Sequence, residues 1–140
     1  MSTSPFICKL LGSANLTNWL YDFDALDMSP AEYCDGCMVH TGFYRSWLSV
    51  ARKVTEEVQR LRQLHPGAKL LVTGHSLGAA MAVLAATHLH YVDALSVHAV
   101  YTFGQPRVGN AAFLDYFSAI DDKFAAFRVV HYRDPGNHFS

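Results

Sequence analysis

Five residues, Gly74-His75-Ser76-Leu77-Gly78, set a hydroxyl between two glycines, and Asp134 follows further along the chain. A serine hydroxyl attacks a carbonyl effectively only when a base takes its proton and an acid orients that base. Where the serine sits in a G-x-S-x-G turn from strand to helix, the acid follows it in the chain. The motif's parts have separate reasons. A tight reversal holds the serine in strained backbone geometry, so the residues two before and two after must be small. The hydroxyl then projects at the positive end of the following helix, and the N–H of Leu77 points to the place where an oxyanion would form. The competing reading makes Ser76 a plain helix cap and Asp134-Pro135 a plain turn.

That chemistry needs a strand before Ser76 and a helix after it, and the pattern supplies both. Residues 69–73 (KLLVT) form a short apolar run, as in a strand covered on both faces. Residues 76–91 read as a small-residue helix, with Ala79, Ala80 and Ala82 allowing close packing on a sheet. Upstream, residues 43–65 repeat apolar side chains (Phe43, Trp47, Val50, Val54, Val58, Leu61, Leu64) at three- and four-residue steps. They predict an amphipathic helix, stopped by His65-Pro66-Gly67. Downstream, residues 95–103 predict a second strand. Asn110 is placed to cap a helix over 111–120, and residues 127–131 predict a third strand just before Asp134. The alternation predicts an α/β fold with a mainly parallel sheet and helices on both faces. Ligands of such sheets bind beyond the carboxyl ends of the strands.

Composition narrows the function. The 140 residues are 51% hydrophobic and 16% charged, with a formal net charge of -1. They predict one domain over residues 1–140 and offer no basic surface for nucleic acid. Eight histidines lack any metal-ligand spacing, so no metal site is expected. The longest apolar stretch, 77–92, is broken by Thr87, His88 and His90, too short for a transmembrane segment. The amino-terminal residues lack the basic start of a signal peptide. Cys34 and Cys37 form a C-x-x-C that could be a redox motif, half a zinc site or a small disulfide loop. The surroundings favour the loop, which would imply an oxidising compartment.

With these residues in view, the chain resembles the fungal-type class 3 lipases, serine esterases of the α/β-hydrolase fold. The resemblance is carried by NWLYDF (18–23), CDGCMVHTGFYRSW (34–47), VTGHSLGAAMAVLAA (72–86), YTFGQPRVGN (101–110) and FRVVHYRDP (127–135), in the family's order. It implies Ser76 as nucleophile, Asp134 as triad acid, and Ser13 with the Leu77 N–H as oxyanion donors. It implies a mobile lid over residues 14–22, including Trp19, and a disulfide between Cys34 and Cys37. It implies no cofactor, a lipid ester substrate at an oil–water interface, and an extracellular location. Leu10-Leu11-Gly12 stands where the family has Phe-Arg-Gly.

The family's catalytic histidine lies several tens of residues beyond the acid. Here only His138 follows Asp134, too close to it to bridge to Ser76, and the reversal turns His75 away. The resemblance therefore implies a partial α/β-hydrolase, incomplete at both ends. Its expected activity is triacylglycerol hydrolysis through an acyl-enzyme on Ser76. The alternatives are a feruloyl-type esterase on the same scaffold and a non-catalytic remnant that binds lipid or a partner.

Overall fold

Alternating side chains open the fold. In β1 (Phe6–Leu10), Phe6, Cys8 and Leu10 turn inward while Ile7 and Lys9 turn out. A computed structural model describes residues 4–12, 27–93, 95–121 and 123–130. After β1 come β2 (Met28–Pro30), β3 (Met38–His40), α1 (Thr41–Leu64), β4 (Leu70–His75), α2 (Leu77–Asp93), β5 (Ala99–Phe103), α3 (Ala111–Asp121) and β6 (Ala125–Val129). Strands β1, β4, β5 and β6 form one sheet in that order, with every neighbouring pair parallel. β2 and β3 form a separate antiparallel pair. The expected α/β arrangement around a parallel sheet is what the chain adopts.

The layering follows from burial. Leu70, Val72, Val100 and Thr102 face a core shared with α1, α2 and α3, through Phe43, Trp47, Leu84, Leu89, Phe113 and Ile120. α2 lies closest to the strands because Ala79, Ala80, Ala82, Ala85 and Ala86 are fully buried and add almost no thickness. Thr87, buried in the same helix, satisfies its hydroxyl on the Val83 carbonyl at 2.8 Å. The residues that alternate with the core set are left open. Ile7 is 62% exposed, Phe127 47% and Val129 48%, and Tyr101 stacks on Phe127 at 4.8 Å between ring centroids. Among the described residues, the helices serve one face of the sheet and leave the other uncovered, where the alternation predicts helices on both faces, because all three helices pack into the same core.

The element boundaries differ from expectation in instructive ways. β4 continues to Gly74-His75, because its ladder with β5 runs through Gly74↔Thr102 and His75↔Phe103. β5 begins at Ala99 rather than 95, since Leu95 N–H instead returns to the Leu89 carbonyl of α2 at 3.0 Å. β6 starts earlier than the apolar run, in register Ala99↔Ala125. α1 matches its periodicity except at Leu64, which is 58% exposed in the last turn. The helix stops where His65 N–H closes on the Leu61 carbonyl and Gly67 takes φ +89°.

Between β2 and β3, Cys34 and Cys37 are disulfide-bonded, with Cα atoms 5.2 Å apart. The loop they close is tied to α3 through one residue. Asn110 caps the helix by accepting the Phe113 N–H (3.0 Å), as its position predicts, and also accepts the Met38 N–H (3.1 Å). Its amide nitrogen donates to the Gly36 carbonyl at 2.9 Å. One side chain thus fixes both the helix start and the disulfide loop.

Candidate active site

The end of β4 sets the geometry of Ser76. Its N–H donates to the Phe103 carbonyl at 2.9 Å, extending the β4–β5 ladder by one rung. Its own carbonyl accepts from Ala79 (2.9 Å) and Ala80 (3.1 Å), already inside the helix. A residue that belongs to a strand on one side and a helix on the other must reverse within a single pair of dihedrals. It does so at φ +55°, the only non-glycine among the described residues with positive φ. Left-handed backbone costs an L-residue about 1–2 kcal/mol, and such strain concentrates at functional positions.

The flanking glycines are required by backbone, each by a different neighbour. A Cβ on Gly74 would collide with the Gly78 carbonyl and come within 2.8 Å of the Ala79 nitrogen. A Cβ on Gly78 would collide with the Leu10 carbonyl at the end of β1 and sit 3.1 Å from the Gly12 nitrogen. The elbow is therefore clamped between its own helix and the first strand. The chain leaving β1 passes the same spot: a Cβ on Gly12 would lie 3.3 Å from both the Gly78 nitrogen and the Leu77 Cβ.

Ser76 is only 5% exposed, and among the described residues its hydroxyl makes no hydrogen bond. It stands at the amino terminus of α2, where Leu77 N–H has no carbonyl partner within the helix. The helix end therefore offers positive potential and a free donor beside the hydroxyl. His75 ends β4 as an exposed residue on the uncovered face. There it lines a cleft of about 690 Å3 together with Leu10, Gly12, Gly74 and Phe103. Cys8, the free cysteine of the described residues, is no rival nucleophile: burial pushes its thiol up and keeps it protonated.

Ser13, Asp134, His138 and the segment 14–22 with Trp19 lie outside the described residues. What the fold does place are their approaches. Gly12, one residue before Ser13, abuts the elbow. β6, which leads toward Asp134, runs parallel to β4 with only β5 between them. Among the described residues, no group of three or more histidine, cysteine or acidic side chains could hold a metal ion. No described helix is long and apolar enough to cross a membrane.

A strained serine between two sterically obligatory glycines matches a known family. Residues 8–139 fit the family described as Lipase (class 3). The chain belongs to the class 3 lipases. The secreted mono- and diacylglycerol lipase A of Penicillium cyclopium is 37% identical over 134 residues, which are 96% of this chain and 42% of that protein. The secreted mono- and diacylglycerol lipase 1 of Fusarium solani is 36% identical over 92% of this chain and 37% of its own length. In three dimensions, a crystal structure of a Penicillium cyclopium MDLA mutant matches with a TM-score of 0.86 at 35% identity, covering 96% of this chain and 48% of that one. A Rhizomucor miehei lipase propeptide complex matches with a TM-score of 0.88 at 32% identity, covering 97% and 43%. The fold is that of the α/β-hydrolases, and the chain spans less than half the length of these relatives.

Some of the site escaped the sequence. The steric role of Leu10 against Gly78 and the approach of Gly12 depend on a strand that no pattern in residues 6–10 announced. A signal was present in the inward Phe6, Cys8 and Leu10, but five residues including a lysine are short for a period-two reading.

Proposed function

We propose that this chain carries the nucleophile of a serine carboxylic ester hydrolase acting on acylglycerols. The observation that carries the reading is Ser76 at φ +55°, between a strand and a helix whose contact tolerates no Cβ at Gly74 or Gly78. In this reading Ser76 Oγ attacks the ester carbonyl and its proton passes through an imidazole to the departing alcohol. The acyl group stays on Ser76 until water, deprotonated by the same imidazole, releases the fatty acid and restores the hydroxyl. The oxyanion is held by the Leu77 N–H and by Ser13, whose neighbour Gly12 lies against the elbow. Asp134, five residues after β6 ends at Val129, orients the imidazole in this reading. His75 is not that imidazole, because it leaves the sheet on the uncovered face. Names of relatives support the substrate class and an extracellular location, and the Cys34–Cys37 bond fits an oxidising compartment.

Hydrolysis of p-nitrophenyl butyrate tests the assignment. Turnover above buffer rate is expected when this chain is joined to the histidine-bearing segment of a class 3 lipase, and Ser76→Ala in that protein should bring it to background. Undiminished turnover in Ser76→Ala would remove Ser76 from the mechanism. A second reading, a lipid-binding chain without turnover, is favoured by the exposed Ile7, Tyr101, Phe103 and Phe127 on the open sheet face. Background turnover even with the histidine-bearing segment joined, together with retained lipid binding, would select it.

A further inference from the structure

Beyond β5 the chain encloses a second hollow that shares no residue with the elbow. Its volume is about 330 Å3, and its apolar walls include Val83 from α2 and Phe113, Leu114 and Phe117 from α3. Arg107 and Arg128 also line it, and among the described residues no acidic side chain does. Each arginine is held by a carbonyl of the loop after β5. Arg128 Nη2 donates to the Gln105 carbonyl at 3.0 Å, and Arg107 Nε donates to the Gly109 carbonyl at 3.1 Å. A guanidinium has five N–H donors, so each keeps most of its donors for a ligand. Among the described residues neither arginine forms an ion pair; those that occur, Arg52–Glu56 and Glu57–Arg60, lie on α1.

Two tethered cations beside an apolar hollow make a specific demand. A small inorganic anion would satisfy the guanidiniums and leave Leu114, 58% exposed, and its neighbours wet. A neutral lipid would fill the hollow and leave both charges unanswered. A carboxylate on an alkyl chain meets both, since arginine binds carboxylates through paired, charge-assisted hydrogen bonds. The volume lies at the low end for small-molecule sites, which fits one chain of modest length and not a whole glyceride. We propose that this hollow is a binding site for a free fatty-acid anion, its carboxylate on Arg107 and Arg128 and its tail against Leu114 and Phe117. The site stands on its own residues, whatever the role of Ser76. If Ser76 does hydrolyse acylglycerols, the site holds the released product away from the nucleophile.

Calorimetric titration of the full chain with sodium laurate below its micellar concentration tests the proposal. One laurate per chain is expected, with dodecanol binding at least about tenfold more weakly. Arg107→Gln and Arg128→Gln should each weaken laurate about tenfold or more, while Ser76→Ala leaves it unchanged. Arg128 is an exposed residue on the last strand of the described sheet, so its substitution keeps the test decisive if Arg107→Gln disturbs the loop. Laurate that binds both arginine variants as tightly as the unaltered chain is bound on the open sheet face, and overturns the proposal. So does equal affinity for dodecanol. Arginine-dependent binding to phosphatidylglycerol vesicles without binding of free laurate would also overturn it, making the arginines a contact for an anionic surface.

Discussion

Gly78→Val abolishes cooperative folding of this chain. The Cβ it adds would overlap the Leu10 carbonyl, and that carbonyl belongs to the β1 backbone paired with β4 through Leu10↔Gly74. Backbone in a ladder has no rotamer to change, so relief requires moving α2 off the sheet or β1 out of register. Either movement opens the core around Ala79, Ala80 and Ala82. A cost above about 4 kcal/mol is expected, a large part of the 5–15 kcal/mol that holds a domain folded. Gly74→Ala carries the same prediction through the Gly78 carbonyl and the Ala79 nitrogen. Gly67→Ala is the control. It also has positive φ, at +89°, but a Cβ there meets nothing within 4 Å. Only the dihedral penalty of about 1–2 kcal/mol should appear. Urea melts of the three variants separate the two mechanisms. Similar midpoints for all three would show that the elbow glycines serve dihedral freedom alone, and that the clamp against β1 has no energetic weight.

Ser76→Gly gives the opposite pairing of effects: ester turnover falls to the level of Ser76→Ala while stability rises. The left-handed dihedral of Ser76 costs about 1–2 kcal/mol with a side chain present and nothing with glycine. Glycine gives back part of that gain, about 0.5–1 kcal/mol, through its greater freedom in the unfolded chain. No hydrogen bond from the hydroxyl to a described residue is lost. A net rise of about 0.5–1 kcal/mol remains, the sign expected when a strained residue is kept for activity. Paired urea melts and p-nitrophenyl butyrate assays read both quantities. A variant less stable than the unaltered chain would mean that Ser76 has a structural role the strain argument omits.

The elbow was legible in the sequence because its requirements are local. Two glycines around a serine, a β-branched run before and alanines after, state the reversal within fifteen residues. What clamps it was not legible. The carbonyl that forbids a Cβ at Gly78 comes from Leu10, in a different strand, and only the parallel pairing of β1 with β4 brings the two together. β6 shows the same limit. Its apolar residues drew the expected strand toward 131, while pairing with Ala99 starts it at Ala125, where two alanines carry little pattern. Leu64 fitted the helical period and is exposed, because periodicity reports which side of a helix is apolar and not how far the core extends beneath it. The paired arginines were invisible for a third reason. Arg107 and Arg128 meet over one hollow only because β6 lies beside β5 and the Gln105 carbonyl reaches across.

In the proposed mechanism one backbone-strained hydroxyl, that of Ser76, is the nucleophile. The most direct measurement of this role is the intact mass of the chain after exposure to diethyl p-nitrophenyl phosphate, followed by peptide mapping. A single diethylphosphoryl adduct on Ser76, absent from Ser76→Ala, is the predicted result. An adduct on any other residue, or ester turnover that survives while Ser76 stays unmodified, would contradict it.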